Sequence, residues 1–226
     1  MRPLLISLGM LLAFSFALAA PAPDAKFTYI DLKDKCNHKL TEKFHQTDTD
    51  ENNLAIETGK QKLGDVEFKI GDGVIQLGST LVKDDPEKVE GIKVEQKFVK
   101  LHIVHACGYG GGPNTEGTAG HVADDTTIGE YKVTYADKTT ETIPIVYGQD
   151  VRDWWFAEGE KEPARSKVVW KGENEQSKKF KCGVRLYMTT WKNPKPDKKV
   201  VSIDYIGRKS ETAAAPFCVA MTVEGE

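Results

Sequence analysis

Short stretches of alternating apolar and polar residues run through most of the chain, and this alternation predicts β-strands. The clearest pair is Ile128–Tyr135 and Thr139–Tyr147, separated by the turn residues Ala136-Asp137-Lys138. The apolar positions that share a face in each arm are Tyr131, Val133 and Tyr135, then Ile143, Ile145 and Tyr147. A slip of one residue in the strand pairing would move the apolar side chains to the solvent-exposed face. The two arms therefore predict a hairpin with a well-defined register.

Further stretches of this kind predict a fold built almost entirely of strands. They are Phe27–Leu32, Val66–Ile70, Val74–Leu77, Ile92–Val94, Phe98–Ala106, Val168–Lys171, Gly183–Trp191, Val200–Ile206 and Phe217–Val223. The segment Gly71-Asp72-Gly73 predicts a hairpin or bulge between two of them. Polar Lys33–Lys62 predicts a loop with at most a short helical turn. About ten or eleven strands, without a helical period or an internal repeat, predict one all-β domain over residues 27–226, an antiparallel β-sandwich.

The N-terminus has the pattern of a secretory signal peptide. Arg2 precedes the apolar run Leu4–Phe16, and Ala17-Leu18-Ala19 supplies a small-residue cleavage site. Residues 1–19 are therefore predicted to be removed, and residues 20–26 to form a flexible lead; an uncleaved anchor is the alternative. No second run of about 20 apolar residues follows, so we expect a secreted or periplasmic protein without membrane insertion.

Charge and cysteine usage narrow the class of protein further. The formal net charge of −3 gives no reason to expect a nucleic-acid partner. The four cysteines, Cys36, Cys107, Cys182 and Cys218, are far apart and form no CxxC redox or zinc pattern. Export permits disulfides, so we expect at least one and favour Cys107 with Cys182, because both stand at ends of predicted strands. Free buried thiols are the alternative.

The C-terminal third carries a recognisable order of motifs. Arg185-Leu186-Tyr187 leads to the proline-bracketed turn Thr190–Pro196, then to the strand Val200–Tyr205 and the closing stretch Ala215–Thr222. With the earlier hairpin and the segment Tyr147–Trp155, this order resembles the galactose-binding-domain-like jelly roll. That sandwich occurs in many carbohydrate-binding modules of secreted bacterial enzymes and in uncharacterised secreted bacterial domains. The resemblance implies a jelly-roll fold and a binding role, without indicating a particular sugar.

The segment after the hairpin is the candidate ligand site. It brings two carboxylates, a guanidinium and two indoles to one strand end, and the candidate residues are Asp150, Arg152, Asp153, Trp154 and Trp155. Carboxylates and guanidinium groups match vicinal diols, and an exposed indole stacks on the apolar face of a pyranose. Adjacent residues of an extended chain point to opposite sides, so one indole can enter the core while the other faces solvent. The structural alternative is an internal ion pair of Arg152 with one of its neighbours, beside two indoles that belong to the core or anchor the loop.

Metal and catalytic motifs do not emerge from the sequence. His102 and His105 lie three apart on one predicted strand, hence on opposite faces, and are expected to be structural. The acidic run Asp48–Asn53 lacks the EF-hand spacing; the resemblance allows a structural calcium there, and a solvated loop is the other interpretation. The glycine-rich stretch Cys107–Asp125 matches no nucleotide-binding loop, and no catalytic motif is present.

These observations predict a secreted non-catalytic binding module for carbohydrate, without a cofactor. Two alternatives stay open: a protein-interaction or envelope-structural domain with a protein partner and no small ligand, and a hydrolase whose site is not recognisable from sequence. An exposed indole beside polar groups favours carbohydrate, a broad flat apolar patch favours a protein partner, and a deep cleft with several carboxylates favours a hydrolase.

Overall fold

The computed structural model describes residues 26–45, 51–112 and 120–225. The predicted signal peptide 1–19, nearly all of the predicted lead, and Asp48 and Asp50 of the acidic run lie outside the described residues. The described strands are β1 Phe27–Ile30, β2 His38–Lys39, β3 Gly59–Leu63, β4 Val66–Ile70, β5 Gly73–Gln76, β6 Lys88–Gln96, β7 Lys100–Gly108, β8 Thr127–Tyr135, β9 Thr140–Val146, β10 Trp155–Phe156, β11 Lys167–Gly172, β12 Gly183–Lys192, β13 Val200–Gly207 and β14 Ala215–Glu224. A 3-10 turn spans Lys33–Lys35, and a short helix, α1, spans Glu175–Lys179.

The strands form an antiparallel all-β sandwich, as predicted. The larger sheet has the order β10-β12-β7-β14-β5-β2, with β1 added beside β14 and β11 beside β12. The second sheet has the order β6-β13-β8-β9, and β3 and β4 form a separate two-stranded sheet. Buried residues of all three sheets belong to one hydrophobic core. Strands β7 and β14 lie at the centre of the larger sheet, which explains why almost every residue in them is buried.

The predicted hairpin is confirmed as β8 and β9. Tyr131 pairs with Ile143, and both side chains are buried in the core. Its turn is closed by Asp137, whose Oδ1 accepts hydrogen bonds from the backbone N–H and the hydroxyl of Thr139. Lys138 takes a positive φ of 68° in that turn. The alternation of both arms therefore predicted the hairpin and its buried face correctly.

The predicted hairpin through Gly71-Asp72-Gly73 is wrong. Both flanking strands exist as β4 and β5, but β4 pairs with β3, and β5 pairs with β14 and β2. The chain passes from one sheet to another at these glycines instead of folding back on itself. Glycine chemistry indicates a sharp change of direction, whereas the choice of pairing partner depends on strands distant in sequence.

The described strands number fourteen, more than the ten or eleven predicted. The additional ones are short or polar: β2 and β10 have two residues each, and β3 alternates within the polar stretch that was predicted to be a loop. The short helical turn expected in that stretch is present at Lys33–Lys35. Strands of two residues depend on hydrogen bonds to their partner strands, so the local sequence pattern does not predict them.

All four cysteines are free, so the predicted disulfide between Cys107 and Cys182 is absent from this structure. The strand register gives the reason. Tyr187 of β12 pairs with His105 of β7, and continuing that register brings Arg185 level with Cys107. Cys182 is then three residues further along, roughly 10 Å away, whereas a bridge needs Cα atoms within about 4.4–6.8 Å.

His102 and His105 have structural partners, as expected. The ring of His105 lies in the core between the hydroxyl groups of Tyr131 and Thr189, at 3.1 and 2.9 Å. The ring of His102 lies between the Thr190 hydroxyl and the Glu224 carboxylate, and its side chain is almost fully buried. Within the described ranges, no helix has the length and apolar character needed to span a membrane.

Candidate functional site

The Asp153–Phe156 segment is fixed between the ends of two central strands of the larger sheet. The Trp154 N–H donates to the Cys107 carbonyl at the end of β7, and the Trp154 carbonyl accepts from the Arg185 N–H of β12. Trp155 and Phe156 then pair with the first residues of β12 as β10. This extended backbone sends neighbouring side chains in opposite directions, and the two indoles consequently have different environments.

Trp154 belongs to the core. Its side chain is 2% exposed and packs against Phe44, His45 and Phe217, with ring centroids 5.3, 5.7 and 5.7 Å away. Trp155 is partly exposed, and its indole Nε1 donates to Asn52 Oδ1 at 3.1 Å. Trp155 is therefore the indole of the pair that reaches the surface.

Asp150 and Arg152 secure the loop that leads to these indoles. Asp150 is buried; it accepts from the Val146 N–H at 2.8 Å and from two nitrogens of Arg165, at 3.1 and 2.6 Å. The Arg152 guanidinium donates to Asp124 at 2.8 Å and lies over the Tyr147 ring. The expected ion pair of Arg152 with one of its sequence neighbours is wrong: Arg152 pairs with Asp124, and Asp150 pairs with Arg165, so residues more distant in sequence hold this loop.

A cleft of about 270 Å³ opens beside Trp155, and we call it the Trp155 cleft. Three of the five predicted site residues line it: Asp153, Trp154 and Trp155. The other lining residues are His45, Asn52, Gly108, Tyr109, Gly112, Gly120 and Phe180. Asp150 and Arg152 do not belong to the lining.

Phe180 forms the second aromatic wall of the cleft. Its side chain is 62% exposed, and its ring centroid lies 5.5 Å from that of Trp155 at an interplanar angle of 51°. Phe180 follows α1, which begins with a capping box between Asn174 and Ser177. The Asn174 side chain also donates to Asn52 Oδ1 and to the Asn53 carbonyl. The same asparagine contacts therefore hold the helix and the indole in place.

Asp153 supplies a buried carboxylate at the cleft. Its Oδ2 accepts from the Gly110 N–H at 2.8 Å and its Oδ1 from the Trp155 N–H at 2.9 Å, and the Gly111 N–H is a third donor. Burial raises the pKa of Asp153 to about 6, against the opposing effect of these N–H groups and of Arg185. The group is mostly ionised at neutral pH, and its carboxylate ties the glycine segment to Trp155.

His45 lies at the inner end of the cleft as a neutral ring. Its Nε2 is 3.2 Å from the Ala215 carbonyl, which accepts the hydrogen bond, so Nε2 carries the proton. Burial lowers the pKa of His45 to about 4. A Cβ added at Gly108 would stand 2.5 Å from the ring, so glycine at the end of β7 allows the close approach.

Sequence reasoning missed His45, Tyr109 and Phe180 as lining residues. For Phe180 a signal existed, because a single aromatic residue in the lysine-rich stretch Ser177–Cys182 is unusual on a solvated surface. His45 and Tyr109 carry no such signal, since they reach the cleft only through the tertiary fold. Within the described residues, no group of three or more His, Cys, Asp or Glu side chains could hold a metal ion. The Asn52 carboxamide of the acidic run serves Trp155 and Asn174 instead.

Comparison of the chain with protein-family models, with curated proteins and with solved structures finds no match.

Proposed function

We propose that this protein is an exported, non-catalytic carbohydrate-binding module with a galactose-binding-domain-like jelly roll, and that saccharide binds in the Trp155 cleft. The observation that carries the proposal is the partly exposed indole of Trp155, which lines a cleft together with Phe180 and beside the polar groups of Asn52 and Asp153. This combination is the one expected for a sugar site, where stacking supplies affinity and polar groups supply direction.

The rigidity of Trp155 supports a stacking role. Its indole is held by Asn52, and its backbone N–H donates to Asp153, so little ordering remains to be done on binding. The cleft of about 270 Å³ lies just below the roughly 300–1,000 Å³ of sites for drug-sized molecules, so it suits about one sugar ring. One stacking surface and a few hydrogen bonds correspond to a dissociation constant on the order of 0.01–1 mM.

The proposal gives the five predicted site residues different roles. Trp155 stacks on the sugar, and Asp153 accepts from a sugar hydroxyl. Trp154 anchors the segment in the core, while Asp150 and Arg152 hold the preceding loop through Arg165 and Asp124.

The test is calorimetry and tryptophan fluorescence with methyl glycosides and neutral oligosaccharides. We expect Trp155→Ala to weaken binding at least tenfold, equivalent to about 1.4 kcal/mol, because the stacking surface is lost. Trp191→Ala is the matched control: this indole is also partly exposed, packs on Phe98 at 6.3 Å and lies outside the cleft. It should bind within about twofold of wild type. Unchanged binding by folded Trp155→Ala would place the site elsewhere.

The exposure of Phe180 favours a second candidate, a protein-interaction domain in which this ring inserts into a partner. The two candidates differ in the saccharide panel. If no saccharide binds the wild-type protein, the carbohydrate proposal fails and the interaction role becomes the better interpretation.

A further inference from the structure

The charged groups that line the Trp155 cleft indicate which charge its ligand can have. Among the described residues that line it, no lysine or arginine occurs, and Asp153 is the one carboxylate. His45 adds no positive charge at neutral pH, because burial keeps its ring neutral. The carboxylate of Asp153 is therefore the one formal charge among the described lining residues at neutral pH.

The lysines on either side of Phe180 in the sequence are not among the lining residues of the cleft. Lys178 and Lys181 line a separate open hollow beside Phe156, of about 570 Å³. Lys178 also pairs with Glu175, and Lys179 pairs with Glu51.

Arg185 is the cation whose charge acts on Asp153; its Nε donates to the Asp153 carbonyl at 3.4 Å, and it is not a lining residue of the cleft. Its guanidinium donates to Glu160 at 2.8 Å and lies over the Phe156 ring. Its side chain is 3% exposed. A ligand anion in the Trp155 cleft would find no free guanidinium or ammonium partner among the described lining residues.

The number of hydrogen bonds that Asp153 can accept also favours a neutral ligand with a hydrogen-bond donor. An ionised carboxylate offers about four lone-pair sites, and three backbone N–H groups occupy three of them. One acceptor site remains for a donor, and a sugar hydroxyl is such a donor. A carboxylate or sulfate on the sugar has no hydrogen to donate and would be desolvated beside a like charge.

We propose that the Trp155 cleft selects neutral saccharides over those that carry a carboxylate or sulfate on the bound ring. The inference rests on the proposed function and adds the ligand class. It assigns the discrimination to Asp153, whereas the affinity for sugar in general comes from Trp155.

The experiment compares matched pairs of ligands that differ by one group: methyl β-glucopyranoside with its uronate, and methyl β-galactopyranoside with its uronate. At about pH 7.5 we expect the uronate of the pair that binds to be weaker by on the order of tenfold, the size of one like-charge contact in a partly screened site. Lowering the pH to about 5 should narrow this gap, because Asp153 takes up a proton while the more acidic uronate stays charged.

Asp153→Asn provides the second arm, since it removes the charge and keeps the size of the side chain. We expect the ratio of its affinity for the neutral sugar to its affinity for the uronate to fall severalfold, even if both affinities decrease. Should this variant fail to fold, the pH comparison on wild type still decides. If the wild-type protein binds the uronate as tightly as the neutral sugar or more tightly, the charge selection is wrong. If Trp155→Ala abolishes that binding, the carbohydrate proposal still stands. Binding of neither ligand by the wild-type protein would overturn both.

Discussion

At the scale of single residues, Trp154 and Trp155 have the same side chain and opposite roles. Trp154 is surrounded by aromatic rings in the core, whereas Trp155 contacts Asn52 and Phe180 at the surface. We expect Trp154→Ala to lower the free energy of unfolding by about 3–5 kcal/mol, because it leaves a large cavity. Trp155→Ala should cost clearly less, since part of its side chain is already in water. Urea denaturation of both variants checks this; equal losses would show that both indoles are core residues.

The chemistry of the candidate residues was readable from the sequence, but their assignment to site or scaffold was not. Alternation along an extended chain predicted that the two indoles would separate, without indicating which one is buried. Asp150 and Asp153 lie three residues apart, yet Asp150 has an arginine partner and Asp153 has backbone N–H partners. The difference arises from Arg165, which lies fifteen residues away from Asp150, and from the glycine segment after β7.

At the scale of elements, a local pattern predicted strands better than it predicted their partners. The β8–β9 hairpin was predictable because both arms and the turn are contiguous. The pairing of β5 with β14 was not, because the two strands are separated by most of the chain. The Trp155 cleft likewise combines distant parts of the chain. His45 and Asn52 belong to the connection between β2 and β3, whereas Phe180 follows α1, so no single stretch could reveal the cleft.

The end of β7 offers a test of how closely these elements pack. A Cβ at Gly108 would stand 2.5–2.6 Å from three ring atoms of His45. We expect Gly108→Ala to destabilise the protein by about 1–3 kcal/mol, because the buried ring must shift. Gly71→Ala is the matched control, since the nearest atom to its added Cβ is 4.0 Å away, and it should stay within about 0.5 kcal/mol of wild type. Thermal unfolding of the two variants compares them; a harmless Gly108→Ala would contradict the close packing of His45.

At the scale of the whole molecule, buried titratable groups make stability depend on pH well above the range of ordinary carboxylates. Burial lowers the pKa of His45 to about 4 and that of His105 to about 3. The unfolded chain takes up protons on both rings near pH 6.5, whereas the folded protein does not. Lowering the pH below 6.5 therefore favours the unfolded state, and at about pH 5 each ring has cost on the order of 2 kcal/mol.

Two other groups act in the opposite direction. Because the pKa of Asp153 is raised, the folded protein binds this proton more tightly than the unfolded chain does. Acidification through about pH 6 therefore raises the free energy of unfolding by roughly 1 kcal/mol by pH 5. The hydrogen bond to Asp85 raises the pKa of His38, whose protonation also stabilises the fold. Burial also lowers the pKa of His102, so this ring acts in the same direction as His45 and His105. The three buried histidines together outweigh the buried aspartate, so we expect the free energy of unfolding in urea to fall by on the order of 3 kcal/mol between about pH 7.5 and 5. NMR of the imidazole protons should show His45 and His105 still neutral at pH 5, with His38 already charged. Stability that is constant or rises over this range, with titration of His45 and His105 near pH 6.5, would mean that these rings reach solvent in the native state.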